Sequence, residues 1–541
     1  VQEDLSLSAG SPLRAPAADG AVVAVPPLQA VGALLAENQR RLDTLAGTAP
    51  RLLGQPLDEF RREARRAAAD AARDYLARSG EPVPPVGPEG LLLAGHQPEL
   101  FHPGVWVKNF ALAGLARAHG RTALNLVVDN DTVKSTALRV PVPTDSAERP
   151  PAVLHTVPFD HWTAEVPYEE RPIADPALFS DFADRVMDLL RPWGYEPLLG
   201  GFWADVRRQT ARTPLLGACF AAARRDLERA WGCHNLELPI SVLCGTAPFR
   251  RFACHVLAEL PRFHAVYNAA VADYRARNRI RSRNHPVPDL AARGDWLEAP
   301  LWGWRSGQSR RGRLFARATP GGVELRCGDE PWPTLPLHAG GVAALAGLEA
   351  QGYKVRTRAL TTTLYARLFL ADLFVHGIGG GKYDELTDAI VHRFWGAPPP
   401  AFLVLSATLW LPPAHDEPED LAQRRRGLAR RLRDLHWNPQ RHLDDAPEAD
   451  AGLRELAARK EVWVERQPHT AAERRHRFEM LRELTAALRR PLAARELALK
   501  EELADLGRRL AGQQVLRRRD YAFCLYPESS IRPFCTRFLT L

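Results

Sequence analysis

The sequence predicts an α/β fold: a parallel-sheet core with helical insertions, followed by C-terminal helices folded back on each other along an antiparallel coiled-coil seam. Three observations carry this. The apolar run Leu91-Leu92-Leu93-Ala94, a helical period over 105–118 and the run from Ala123 to Asp129 place strand, helix and strand within about 40 residues, a βαβ unit with parallel strands. Of the 541 residues, 45% are hydrophobic and 25% charged, the proportions of a chain with a packed core. Leu499, Leu503, Leu506 and Leu510 recur at the spacing of a coiled-coil seam.

In chain order, residues 1–90 read as an Ala/Pro/Ser-rich, loosely held arm to residue 28, then helices over 29–46 and 57–78, closed by the linker from Glu81 to Pro88. Residues 91–150 hold the βαβ unit, the first half of the core. A mainly helical insertion rich in Trp, Phe and Pro is predicted over 151–238. The core resumes over 239–300 with a buried strand from Pro239 to Gly245 and a helix over 248–260. Alternation around Pro320-Gly321-Gly322 predicts a β-hairpin insertion over 301–340. The second half of the core spans 341–412: an apolar segment from Leu368 to Val375, a glycine-rich loop, a helix starting near Asp384 and a strand from Ala401 to Leu411. Breaks at Asn438-Pro439 and Gln467-Pro468 divide the helical region 413–518. Residues 519–541, with Tyr521-Ala522-Phe523-Cys524-Leu525-Tyr526, read as a terminal strand returning to the core.

Several function classes drop out. No stretch approaches the roughly 18 apolar residues of a spanning helix, so no membrane partner is expected. The acidic opening Val1-Gln2-Glu3-Asp4 carries no export signal, which points to the cytoplasm. Seven cysteines without a CxxC pair argue against a disulfide framework or a thiolate zinc site, and no HExxH is present, so no metal site is predicted. The net charge of +8 comes with only six lysines among 72 basic residues, a skew of coding rather than of binding. The helical arginines lack interleaved aromatics, so a nucleic-acid partner is not expected. The few lysines mark places where a compact ammonium is wanted, and Lys108, Lys134 and Lys382 fall beside the motifs below.

Three constellations point to a small-molecule substrate. The first runs from Gly95 to Gly104 and on to Lys108. It follows the first strand, where ligands of open α/β sheets bind against a helix amino terminus. Gly95 and Gly104 let backbone approach a ligand; His96, Gln97 and His102 supply donors and acceptors. The second is Asp129-Asn130-Asp131 at the end of the second strand, suited to an ammonium, a ribose hydroxyl or hydrated magnesium. The third is Gly377-Ile378-Gly379-Gly380-Gly381-Lys382, a nest of amides with a cation for a phosphate or carboxylate.

In this order the motifs resemble the cysteine-adding enzyme family of bacillithiol biosynthesis. Gly95 to Gly104 with Lys108 is similar to its G-Q-Q-x-x-L-x-x-G-P and lysine-bearing helix, with His96 in place of a glutamine. Val128-Asp129-Asn130-Asp131 resembles its G-E-D-H-D, Gly377 to Asp384 after Arg367 its G-G-P-G-E, and Leu405-Ser406-Ala407-Thr408 its R-x-S-x-T segment. The resemblance implies a Rossmann-like core and a coiled coil that supports a homodimer. It also implies a ligase joining the carboxyl of cysteine, or a similar amino acid, to the amine of an amino-sugar conjugate. On that reading Gln97 and the helix amides after Gly104 hold the carboxylate or its oxyanion, and His96 is the general base because its ordinary pKa lies near working pH. Asp129 and Asp131 hold the amine, and Lys382 with Gly379, Gly380 and Gly381 a phosphate or malate-type carboxylate. ATP and magnesium are implied if the carboxyl is activated by ATP. The alternatives are an adenylate-forming or nucleotidyl-transfer enzyme of the same superfamily, and a non-catalytic dimeric scaffold that binds a small anion.

Overall fold

The computed structural model describes residues 13–44, 51–87, 90–144, 152–308, 310–337, 340–414, 418–445 and 451–541; the opening of the predicted arm lies outside them. A six-stranded mixed sheet organises the chain. Its strands are β1 (Val22–Val25), β2 (Leu91–His96), β3 (Thr122–Val127), β4 (Leu236–Pro239), β5 (Leu373–His376) and β6 (Phe402–Ala407), in the spatial order β1-β6-β5-β2-β3-β4. β2 to β6 are parallel, and β1 runs antiparallel along β6, Val22 facing Ala407 and Val25 facing Val404. From β2 the chain steps outward through β3 to β4, then returns to the far flank of β2 for β5 and β6. Strand order therefore reverses between β2 and β5, with Val375 beside Ala94.

Both faces are covered, which is why the strands read as unbroken apolar runs. Leu91 and Leu93 join Leu124, Leu126 and Leu236 in one core, with α2 (Leu57–Arg78). Leu92 and Ala94 join Leu373, Val375 and Leu403 in the other, with α1 (Val31–Asp43), α3 (Pro103–Ala118) and α4 (Leu216–Ala230). Pro103 opens α3, where its missing N–H costs nothing, and Gly120 at φ +62° closes it: Gly120 N–H donates to Arg117 O and Arg121 N–H to Ala116 O.

The structure corrects several expectations. Residues 22–25 belong to the sheet, because β6 offers them an unpaired edge. That same pairing leaves β6 no edge for a terminal strand, so the chain end returns to the core as a turn over Phe523–Leu525 and α10 (Glu528–Thr536). The predicted strand from Pro239 to Gly245 is already ending: β4 stops at Pro239 and a short helix, Ile240–Cys244, follows. The insertion predicted over 151–238 thus ends in a core strand, and it begins with an antiparallel hairpin, Ala137–Pro143 with Ala152–Pro158. The hairpin over 301–340 is part of a larger antiparallel sheet, ordered Glu330–Leu335, Gly322–Cys327, Gly312–Thr319, Trp296–Arg305, Tyr353–Thr357.

The C-terminal helices α6 (Pro418–Trp437), α7 (Ala451–Glu465), α8 (Ala471–Arg489) and α9 (Ala493–Leu516) pair within the chain, α6 along α9 and α7 along α8. Leu428, Leu435, Leu492, Leu499 and Leu506 form the buried seam, with Leu503 packed against it. Among the described residues no helix is long and apolar enough to cross a membrane, and all seven cysteines are free thiols.

Candidate functional site

The first two constellations meet at the carboxyl ends of β2 and β3, where His96 is paired in register with Val127. Gln97 Nε2 donates to Asp131 Oδ2 at 2.8 Å, so the loop after β2 and the acidic segment after β3 are tied together. Asp131 also accepts from Thr132 N–H (2.9 Å) and from Arg311 Nη2 (2.7 Å), one residue before a strand of the second sheet. Despite its burial, hydrogen bonding from Gln97 and the charge of Arg311 hold its carboxyl below the ordinary range. Asn130 is buried and anchors the second sheet, donating to Thr357 O at 2.7 Å.

Asp129 points the other way. Its carboxylate accepts the backbone N–H of Ser241 at 2.9 Å and the Ser241 hydroxyl, capping the short helix after β4. This capping turns the chain out of the sheet after Pro239. Burial, and next the charge of Glu169, push Asp129 up to about 7 against the pull of Ser241. Glu169 is held by Arg356 (2.9 Å) and Lys354 (3.0 Å), and Lys354 also meets Glu170 at 2.5 Å. Ser241, Glu169, Lys354, Arg356 and Arg311 are not singled out by the sequence. Only the scarcity of lysine could have flagged Lys354.

Behind these groups sit His96 and Lys108. His96 Nδ1 lies 2.9 Å from Gln97 O, which requires a proton on Nδ1, and Nε2 then faces Asn109 Oδ1 at 3.4 Å. Burial, followed by the nearby Lys108 and Arg224, drives the His96 pKa down to about 3. The expectation of a near-neutral His96 is therefore corrected: the ring is neutral at pH 7 and a weak base. Lys108, 3% exposed, donates from the sheet-facing side of α3 to Gly95 O at 3.1 Å. Burial lowers its pKa to about 8. His102 precedes α3 with its Nδ1 buried and unpartnered. Gly104 does not open the backbone to a ligand, because a Cβ there would stand 2.1 Å from Ala407 O. Gly95 likewise faces β3, where a Cβ would lie 3.1 Å from Leu126.

The third constellation is not a loop. Helix α5 (Ile378–Ile390) begins immediately after Gly377, six residues earlier than the sequence suggests. Gly381 is buried where a Cβ would meet Val404 Cγ2 at 2.5 Å, so it lets α5 close onto β6, whereas the position of Gly379 is open. Gly380 lies over His376. Lys382 is exposed, and among the described residues no hydrogen bond or ion pair joins it to His96 or Asp129. Asp384 gathers the buried polar groups of this turn: it accepts from Arg367 Nη1 at 2.7 Å and lies 2.6 Å from His376 Nε2, while Arg367 Nη2 also meets Asp388 at 2.7 Å. Arg367 pulls its carboxyl far below the ordinary range.

Asp129 turns to Ser241 while Asp131 turns to Gln97, Thr132 and Arg311, so the two carboxylates do not converge on one position as a magnesium shell requires. Among the described residues no group of three His, Cys, Asp or Glu side chains is placed to hold a metal ion. A cleft of about 680 Å³, lined by Ile173, Phe179, Pro214 and Arg207 among others, lies in the helical insertion and includes none of the predicted residues. The chain matches no known family model and no curated protein.

Proposed function

We propose that the chain is an amide-forming ligase similar to the cysteine-adding enzyme of bacillithiol biosynthesis. It would use a Rossmann-like core to join the carboxyl of cysteine, or a similar amino acid, to the amine of an amino-sugar conjugate. One observation supports this above others: Gln97, in the loop after β2, is tied to Asp131, after β3, so an amide donor and a carboxylate stand together at one sheet edge. A carbonyl oxygen and an amine are thereby offered partners of the right sign. The amine must lose a proton before it attacks, and Asp129, with a pKa of about 7, is matched to accept it through the Ser241 hydroxyl that bonds its carboxylate. His96 positions the loop through Gln97 instead of acting as the base. Asp131 steadies the ammonium, and Gln97 faces the developing oxyanion. ATP is the expected source of activation, with no step assigned to a metal. A second copy of the chain is expected to pair through the helical arm, where Trp437 is 63% and Phe478 63% exposed; light scattering decides that point.

The test is amide formation, read by mass spectrometry, from a panel of amino acids and amino sugars with ATP, alongside phosphate, pyrophosphate and AMP release. Turnover should rise with pH through about 7, as the Asp129 carboxyl loses its proton and becomes a base. Asp129→Asn should lower turnover at least about 100-fold and abolish that rise. No amide from any pair sinks the proposal, and pyrophosphate with AMP but no amide favours an adenylate-forming enzyme.

A further inference from the structure

Lys108 is out of keeping with the other buried cations. Among the described residues, each of the five buried arginines (171, 224, 225, 356 and 367) lies within 2.9 Å of a carboxylate oxygen. Lys460, in the arm, is held by two oxygens, Trp437 O at 2.6 Å and Gln440 Oε1 at 2.8 Å. Lys108 has one neutral partner, Gly95 O, and two ammonium protons to spare. A buried charge left this way is costly unless something else meets it.

A second cation near the start of α3 also lacks a carboxylate. Arg519 donates to Ser406 Oγ at 2.7 Å and Ala407 O at 3.0 Å, and its Nε is buried without a partner. The adjacent Asp520 is engaged by Arg139 and Arg518. His102 feels both cations: burial first, then Arg519 and, more weakly, Lys108 push its pKa down to about 4 against the pull of Asp520. At Gly104 a Cβ would stand 2.6 Å from Arg519 Nη2 and 3.0 Å from His102 Cε1, so the guanidinium and the imidazole flank the first turn of a 16-residue helix.

We infer that this corner binds a phosphate group carried by one substrate, with Lys108 and Arg519 meeting its two negative charges and His102 and the Gly104 N–H meeting its oxygens. The charge count selects phosphate over carboxylate, since two unpaired cations match a dianion. The inference rests on the reading of the strand ends as a substrate site and names the chemistry of one substrate.

The probe is inorganic phosphate, titrated calorimetrically into the full chain at fixed ionic strength. Binding should saturate at one site and weaken at least about tenfold in Arg519→Gln and in Lys108→Met, with Lys382→Gln unchanged. Near-UV circular dichroism reports folding. Arg519 is partly exposed, so its variant carries the test if Lys108→Met does not fold. Phosphate bound equally by wild type and Arg519→Gln, or no more tightly than acetate, overturns the inference. Competition by ADP or by glucosamine 6-phosphate then tells a nucleotide from a sugar phosphate, and either supports it. Amide formation is read separately, so failure of the ligase reading leaves this result standing.

Discussion

Two strand-to-helix turns flank the point where the strand order reverses, and in sequence they are near twins. β2 ends in Gly95 and His96 and is followed by His102, Gly104 and Lys108; β5 ends in His376 and is followed by four glycines and Lys382. The structure uses them in opposite ways. In the second turn every buried charge has its counterpart, Arg367 and His376 converging on Asp384, while Lys382 stands in water. In the first turn Lys108 is buried, Arg519 lies beside Gly104, and neither makes an ion pair with a carboxylate among the described residues. Lysine in the first two turns of a helix after a strand is thus no guide to its role. What matters is whether its face of the helix meets the sheet or the solvent.

The largest effect should come from breaking the paired turn. Asp384→Asn leaves Arg367 with Asp388 alone, takes the carboxylate from His376, and should cost about 3 kcal/mol in urea unfolding. A loss below about 1 kcal/mol would mean that the two turns are not different in kind.

Lys108→Met should act with the opposite sign, removing an uncompensated charge and gaining about 1–4 kcal/mol at pH 7 without phosphate. Its pH dependence checks the cause. The folded-state pKa of about 8 lies below the ordinary lysine value of 10.5, so between these values the unfolded chain binds the extra proton. Wild-type stability is penalised in full below about pH 8 and recovers as pH rises toward 10.5, so the advantage of the methionine variant should shrink across that window. A flat difference would point to packing instead of charge.

The smallest effects separate the glycines. Gly104→Ala forces a Cβ against Ala407 O and should cost about 1–3 kcal/mol. Gly379→Ala, in open space on α5, should gain about 0.5–1 kcal/mol by thermal unfolding. Equal effects would remove the distinction between a glycine that permits close packing and one that does not.

Much of the sheet was legible in the sequence. β2, α3 and β3 rest on local apolar runs and a helical period, and the loop after β2 lies at a strand end as its composition suggests. The errors share a cause. Pro239 to Gly245 is apolar enough for a strand, but Asp129, 112 residues earlier, caps a helix there instead. The glycines after Gly377 read as a loop because their helical propensity is poor, yet α5 is stabilised by Leu386 and Ile390 packing in the core. His96 was assigned its ordinary pKa because nothing local reveals that α3 brings Lys108 beside it.

By itself the sequence determined the apolar strands, the amphipathic helices, the leucine seam of the arm and the position of the polar loop after β2. These follow from hydrophobic burial, which is written into residue spacing over a few turns or a single strand. Tertiary structure alone decided which charges are paired: that Asp129 caps Ser241, that Arg311 reaches Asp131, that Asp384 gathers Arg367 and His376, and that Lys108 is left with a single carbonyl. Charge pairing and desolvation depend on neighbours brought from hundreds of residues away, and no local pattern carries that information.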